Sequence, residues 1–298
     1  MLETVVPGVY AWVQPDGTWW VNNAGAVVGG DDVFVVDTCA TEARTRRFLA
    51  AVDEAAGGRP VRMAVNTHQH GDHTYGNSLL PRASVLIGHE LMREALRTDP
   101  IIDGCPPFWE PVPDWGDVTR RVPDVAVRDS LTVHAGPTRI ELLHPGGPAH
   151  TTGDLVAWLP EQRVLFTGDL VFSGLTPLVF MGSVEGAMRA LDWMAALEPE
   201  HLVPGHGPLL HGGPAIGEAF GKLRRYCQLV LDHVKPGLSP LAAAHDCDLG
   251  EFAAWADAER IVLNLHRAYA SRFGTEMDLV AALRDAVTWR GGPMPTSV

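Results

Sequence analysis

Lysine is nearly absent from this sequence: Lys222 and Lys235 stand alone against many arginines, a bias of codon usage that says little about chemistry. Basic runs are missing too. None is longer than a pair such as Arg120-Arg121 or Arg224-Arg225, and a net charge of -13 would repel a phosphate backbone, which argues against nucleic acid as a partner. Cys39, Cys105, Cys227 and Cys247 are far apart, form no C-x-x-C pair and are too few for a disulfide framework. They fit reduced or buried thiols in a cytosol, and none is the expected nucleophile. No stretch approaches the ~20 apolar residues that cross a bilayer, and the opening MLETVVPGVYAW has neither the basic start nor the unbroken apolar core of a secretion signal. The expectation is a soluble, cytoplasmic protein with no membrane partner.

What is present is enough for a sizeable core: 298 residues, 46% hydrophobic and 20% charged. β-formers cluster at Val9 to Val13, Gly25 to Val28 and Val33 to Val36, broken by Asp16-Gly17 and by Gly29 to Asp32, which predicts an opening meander. Thr41 caps a helix over Glu42 to Ala56, where Phe48, Leu49, Val52 and Ala56 recur at helical spacing, and a strand follows at Met63 to Val65. A second strand and helix run from Ser84 to Ile87 and from His89 to Leu96. Between Pro106 and Trp115 the prolines and aromatics Phe108, Trp109 and Trp115 interrupt all periodicity, so this segment is either a lid or a rigid surface excursion. Strands resume at Val125 to Val127, Leu131 to Val133, Arg139 to Leu143, Leu155 to Leu159 and Val164 to Phe166. A helix over Val184 to Leu197 leads to the strand His201 to Val203 and a Pro-Gly-His-Gly turn. From about Pro214 the pattern is helical only, with an apolar stripe from Ile216 to Val234 and helices expected at Pro240 to His245, Glu251 to Ala270 and Met277 to Val287. The chain divides near residue 213 into an α/β catalytic domain, 1–213, and a helical extension, 214–298, expected to cover the substrate.

Chemistry concentrates in Thr67-His68-Gln69-His70-Gly71-Asp72-His73, an H-x-H-x-D-H cluster. Three imidazoles and a carboxylate in a turn after a strand supply nitrogen and oxygen ligands suited to Zn²⁺ or Fe²⁺, whereas Ca²⁺ and Mg²⁺ take oxygen shells. A merely polar surface loop is the bland alternative, and this density of ligand types argues against it. Three further residues sit at strand ends: His150 before Leu155, Asp169 in Thr167-Gly168-Asp169, and His206 in Gly205-His206-Gly207. Each alone is weak evidence. Together they are what a two-metal site still lacks.

In order and spacing these motifs, with Val35-Val36-Asp37-Thr38, resemble the metallo-β-lactamase superfamily over roughly residues 6 to 210. The resemblance implies an αββα sandwich with the site at one edge of two sheets. It also implies that His68, His70 and His150 hold one ion, that Asp72, His73 and His206 hold a second, and that Asp169 bridges. Two Zn²⁺ are expected, with iron or manganese as alternatives. A bridging Asp169 is similar to the thioester, lactone and phosphodiester hydrolases of that superfamily and ranks β-lactam hydrolysis low. The segments Val21 to Gly25, Asp37 to Glu42, Pro113 to Gly116, Ala149 to Thr151 and Asn264 to Ala270 resemble the second- and third-ring cyclase and thioesterase branch of aromatic polyketide pathways.

That resemblance implies attack of ion-activated water on a thioester carbonyl, coupled to aldol closure if the substrate is a polyketide on an acyl carrier protein. The branch resemblance adds His266 as a catalytic candidate, beside Asp72 from the expected ligand set. Asn23, Tyr75, His89, His134 and His144 are lesser ones, each more often a core or surface residue. Lys222, Arg224 and Arg225 on one helix are a candidate docking face for an acidic carrier, against the plainer reading of a solvated face. Glyoxalase-II-like or lactone hydrolysis, and non-haem iron redox chemistry, are the alternative activities. The expected partner is the substrate, either a small molecule or one bound to an acyl carrier protein.

Overall fold

The structure, a computed structural model, describes residues 1–14 and 16–298. Its first half runs β1 (Leu2–Val6), β2 (Val9–Trp12), β3 (Ala24–Val28), β4 (Val33–Val36), α1 (Glu42–Ala56), β5 (Val61–Val65), α2 (Gly71–Thr74), β6 (Val85–His89), α3 (Glu90–Arg97), β7 (Trp109–Glu110) and β8 (Val125–Val127). The second half runs β9 (Ser130–Ala135), β10 (Thr138–Leu143), β11 (Val156–Leu159), β12 (Val164–Phe172), α4 (Val184–Ala195), β13 (His201–His206), β14 (Leu210–His211), α5 (Gly213–Asp232), α6 (Pro240–Asp246), α7 (Arg260–Phe273), α8 (Leu279–Arg290) and β15 (Met294–Pro295).

Among the described residues the strands form two large sheets, ordered β1-β2-β3-β4-β5-β6-β8 and β14-β13-β12-β11-β10-β9. Period-two burial explains how they stack. On β4, Phe34 and Val36 join Val27, Ile140, Ala157 and Phe166 in the core between the sheets, while Val33 and Val35 face outward onto Phe48, Val52 and Ala56 of α1. On β11 and β12, Val156, Trp158 and Leu165 face the other way, onto α4, α5, α7 and α8. The layers are helix, sheet, sheet, helix, so the αββα expectation holds. Strands covered on both faces become continuous apolar runs, and all nine residues of β12 are buried.

Helix α1 has the expected bounds because its ends are chemically marked: the Thr41 hydroxyl accepts from Arg44 N at 3.2 Å, and Gly57 closes it at φ +62°. Two expectations need correction. The helix expected over Glu251 to Ala270 is broken, because Asp257 sits at φ +58° and α7 starts only at Arg260. The expected Pro-Gly-His-Gly turn is instead the end of strand β13, which runs parallel to β12 with His206 opposite Phe172.

The change of texture near residue 213 is not a change of core. Ile216, Phe220 and Leu223 of α5 and Ile261 and Leu265 of α7 share one hydrophobic cluster with Val156, Leu165 and Leu202 of the second sheet. The Pro-rich segment is tied down by β7, which pairs in parallel with β15 near the end of the chain. Trp109 and Trp115 are both buried in that same cluster.

Candidate metal centre

The first ligand cluster hangs from the end of β5 and is held by a carboxylate from the end of β4. Asp37, a non-glycine residue at φ +61°, accepts from Thr67 N at 2.7 Å, from the Thr67 hydroxyl at 2.8 Å and from His73 Nδ1 at 2.8 Å. Because the Thr67 hydrogen goes to Asp37, Thr67 Oγ1 accepts from His68 Nδ1 at 3.1 Å. His150 Nδ1 donates to Leu178 O at 2.5 Å, and His206 Nδ1 donates to Gly17 O at 2.8 Å. Four imidazoles therefore have Nδ1 tied to an oxygen and Nε2 turned inward, the arrangement that orients metal-ligating histidines.

His70 turns Nδ1 inward instead, 3.1 Å from His68 Nε2 and 2.9 Å from His150 Nε2. The three rings stand at 85°, 88° and 89° to one another. Ligand atoms about 2 Å from a common ion lie roughly 3 Å apart, so this tripod has the right scale. On the other side, Asp72 Oδ2 is 3.2 Å from His206 Nε2 and 3.8 Å from His73 Nε2. Asp169 lies between the two groups: Oδ2 is 3.4 Å from His150 Nε2 and 3.3 Å from His206 Nε2, and Oδ1 is 3.1 Å from His73 Nε2. All seven residues expected from the sequence as metal ligands converge here, in two groups whose ligand atoms lie within 4.8 Å of each other.

The donor set fits divalent ions on a second count. His73 Nε2 and Asp169 Oδ1 are buried and lack a hydrogen-bond partner, although only 3.1 Å separates them. Polar atoms left so poorly paired at this depth are costly, and a cation between them would satisfy both.

The two groups also differ in charge. Burial drives the pKa values of His68 and His70 down, and takes that of His150 to about 3, so these rings are neutral and their lone pairs free. Burial alone would lower His73 and His206 as well, but Asp169 and its neighbouring carboxylates override it, raising His73 well above the ordinary range and His206 to about 9. Burial pushes Asp169 and Asp72 up, and the surrounding imidazoles reverse this, leaving both carboxylates below their usual range. Without an ion, the carboxylates favour the protonated form of the imidazoles in the second group, while burial favours the neutral form in the first.

Close backbone approach makes the site possible. Gly168 has φ +50°, and a Cβ there would lie 2.4 Å from Thr67 Oγ1. A Cβ on Gly205 would lie 1.9 Å from Asp169 Oδ1. Asn23 closes the far side, donating to Pro204 O at 3.0 Å and Gly207 O at 2.7 Å around His206.

Above the ligands lies a cavity of about 350 Å³, with His70, Asp72, Asp169 and His206 among its lining residues. Much of the remaining wall is apolar: Trp19, Trp20, Trp109, Tyr75, Phe172, Phe180 and Leu283. The Trp20 ring lies 5.1 Å from Trp109 and 4.9 Å from Trp115, so the wall is one packed aromatic group. The sequence expectation of a lid is modified accordingly: Trp109 lines the cavity, Trp115 supports it from behind, and Phe108 is only partly buried against the same core.

His266 is not brought to this site. It lies on α7, bonds Asp285 of α8 at 2.8 Å, and is not among the residues lining the cavity. Nor do Lys222, Arg224 and Arg225 form a free basic face, since they pair with Glu218, Asp192 and Glu251. Of the lesser candidates, Tyr75 lines the cavity, whereas His89 caps α3 and stacks on His144, and His134 is exposed on β9. Asp37 and Thr67 hold the ligands without being among the site residues expected from the sequence; a carboxylate directly after the apolar strand Val33 to Val36, the same signal as Asp169, marks the first of them.

Fold and site together define a four-layer α/β protein with a buried His/Asp cluster suited to divalent ions. Residues 17–206 match the Metallo-beta-lactamase superfamily, and the chain belongs to it. It is 28% identical over 203 residues to the 2,4-dinitroanisole O-demethylase subunit alpha of Nocardioides sp. (strain JS1661), covering 65% of this chain and 54% of that one. It is 32% identical over 167 residues to the hydroxyacylglutathione hydrolase of Methylococcus capsulatus, covering 52% and 55%. With the acyl-coenzyme A thioesterase MBLAC2 of Bos taurus it shares 27% identity over 188 residues, covering 53% and 65%. The chain thus spans about half the length of the first two of these relatives. Among solved structures, the metallo-beta-lactamase from Pontibacter korlensis superposes with a TM-score of 0.61 at 19% identity, covering 75% of this chain and 98% of that one, a likeness of fold.

Proposed function

We propose that this protein is a hydrolase that uses two divalent ions, Zn²⁺ in the first instance, to cleave thioesters of bulky aromatic or apolar acids. The observation that carries the reading is a pair of ligand groups with Asp169 lying between them, at the floor of an aromatic cavity. The relatives named as a hydroxyacylglutathione hydrolase and an acyl-coenzyme A thioesterase support the thioester. Bound divalent ions supply a Lewis acid for the carbonyl and lower the pKa of water from about 16 to near 7.

The chain's own residues do the rest. His68, His70 and His150 would hold one ion, Asp72, His73 and His206 the other, and Asp169 both. Asp37 fixes His73 directly and His68 through Thr67. Asp72 lines the cavity floor, where its carboxylate can take a proton from the attacking water and return it to the leaving group. A thiolate needs little such help, because free thiols titrate near 8.5. The aromatic wall excludes water and orients the acyl group. A polyketide tethered to a carrier protein is the narrowest form of this reading; it rests on the aromatic lining, while the proposed docking residues are engaged by acids of the chain itself.

Aryl ethers form a second class to test, favoured by the aromatic cavity together with the relative named as a dinitroanisole O-demethylase. Turnover of zinc-loaded protein should be compared on an aromatic acyl thioester, a short aliphatic thioester, an aryl methyl ether and a chromogenic cephalosporin. The aromatic thioester is expected to have the highest kcat/KM. Preference for the cephalosporin or the ether would overturn the thioester assignment.

A further inference from the structure

We infer that α7, which contributes none of the proposed ligands, is the outer support of both ion sites, with Arg260 and Glu259 serving the second site and Asn264 the first. This rests on the two-ion reading above and goes beyond it by assigning a separate positioning role to residues of the helical extension.

The link to the second site passes through two neighbours of His206. One is Gly17, whose carbonyl takes the His206 Nδ1 proton at 2.8 Å. The segment that carries it is pinned two residues later, where Trp19 Nε1 donates to Glu259 at 2.7 Å and the Arg260 guanidinium lies 4.5 Å from the Trp19 ring centre. The other neighbour is Phe172, stacked on His206 at 5.0 Å and 8° between planes. Arg260 also lies over Phe172, at 5.2 Å, and donates to Thr176 O at 2.9 Å. Arg260 is only 1% exposed, so this cation is held by two aromatic faces, the Thr176 carbonyl and Asp257 at 2.7 Å.

The link to the first site is shorter. Leu178 O accepts the His150 Nδ1 proton, and the residues on either side of Leu178 are both held by Asn264: its Oδ1 accepts from Val179 N at 2.7 Å, and its Nδ2 donates to Pro177 O at 2.8 Å. One helix therefore fixes a carbonyl behind one imidazole of each group. Arg260 and Asn264 stand one helical turn apart, which is why a single helix reaches both.

Loss of a partner bonded directly to a ligating histidine lowers metal affinity by about 10- to 100-fold, and loosening the carbonyl behind it from one step further out should cost about 10-fold. The experiment is a stepwise Zn²⁺ titration of full-length protein, followed by long-range ¹H–¹⁵N spectra that read the tautomer and ligation of each histidine, with thermal melting alongside. Arg260→Met is expected to weaken ligation at His206 by that factor and to leave His150 at wild-type affinity. Asn264→Leu is expected to do the reverse. Glu259→Gln, which keeps an acceptor for Trp19, should stay near wild type. Should either stronger variant fail to fold, Trp19→Phe and Asn264→Asp test the same links more gently. Equal weakening of both sites by each folded variant, or no weakening by any, would overturn the inference. A wild type that binds fewer than two ions would instead sink the two-ion reading, and this inference with it.

Discussion

Nearby carboxylates raise the pKa values of His73 and His206, whereas burial lowers those of His68, His70 and His150, and this difference has a measurable consequence. The pKa of His206 is raised from 6.5 to about 9, and that of His73 is raised as well, so at neutral pH both must lose a proton before they can bind an ion. Affinity at the second group should therefore climb as pH rises toward about 9, while affinity at the first group stays flat once its lowered histidines are neutral. Loading the metal-free protein at pH 7 is expected to release at least about two protons, most of them with the second ion. Calorimetry in buffers of different ionisation enthalpy counts them, and a release of fewer than about one proton would contradict the charge assignment. The metal-free fold obeys the same linkage: the stability gained from protonated His206 is fully present below pH 6.5 and is lost as pH rises through about 9. The thiols give a second test. Burial raises the pKa of Cys39, Cys105 and Cys227 to about 12, so a thiol reagent at pH 8 should label them slowly in the folded protein and rapidly after denaturation. Ligand residues were legible because their side chains advertise their chemistry at close spacing. The carbonyls of Gly17 and Leu178, which set the tautomers of His206 and His150, were not, since any residue carries one.

Strands β12 and β13 bring Asp169 and His206 together, and their glycines decide how closely. Gly205→Ala would drive a methyl group into Asp169; a loss of about 1–3 kcal/mol in stability is expected from overpacking, with weaker binding of at least one ion. A variant that melts like wild type and binds two ions would show that the strand can yield there. Behind the cavity wall, Trp115 packs between Trp20 and Tyr75, so Trp115→Ala is expected to cost about 3–5 kcal/mol, read by denaturant unfolding. A mobile lid residue would cost far less. Elements with local signals, such as α1 with its Thr41 and Gly57 caps, could be placed from the sequence to the residue. The break before α7 could not, because it depends on Asp257 adopting a left-handed conformation beside the buried Arg260, a tertiary pairing.

In the molecule as a whole, the helical extension and the outer face of the second sheet share one hydrophobic core. Ending the chain at residue 213 would expose Val156, Trp158, Leu165 and Leu202 together. Such a fragment is expected to aggregate or to lose its near-ultraviolet circular dichroism, and a soluble, cooperatively folding fragment would show that the extension is an independent domain. The layer order was legible from the alternation of strands and helices, but the region after residue 213 also carries β15, and which elements share a core depends on side-chain contacts across the chain. Among the described residues no helix is long and apolar enough to cross a membrane. The most direct test of the two-ion hydrolase is turnover of an aromatic thioester by chelated, desalted protein as Zn²⁺ is added back. The predicted result is no turnover at the start and a maximum at two ions per chain; full turnover before any zinc is added, or saturation at one ion, would contradict it.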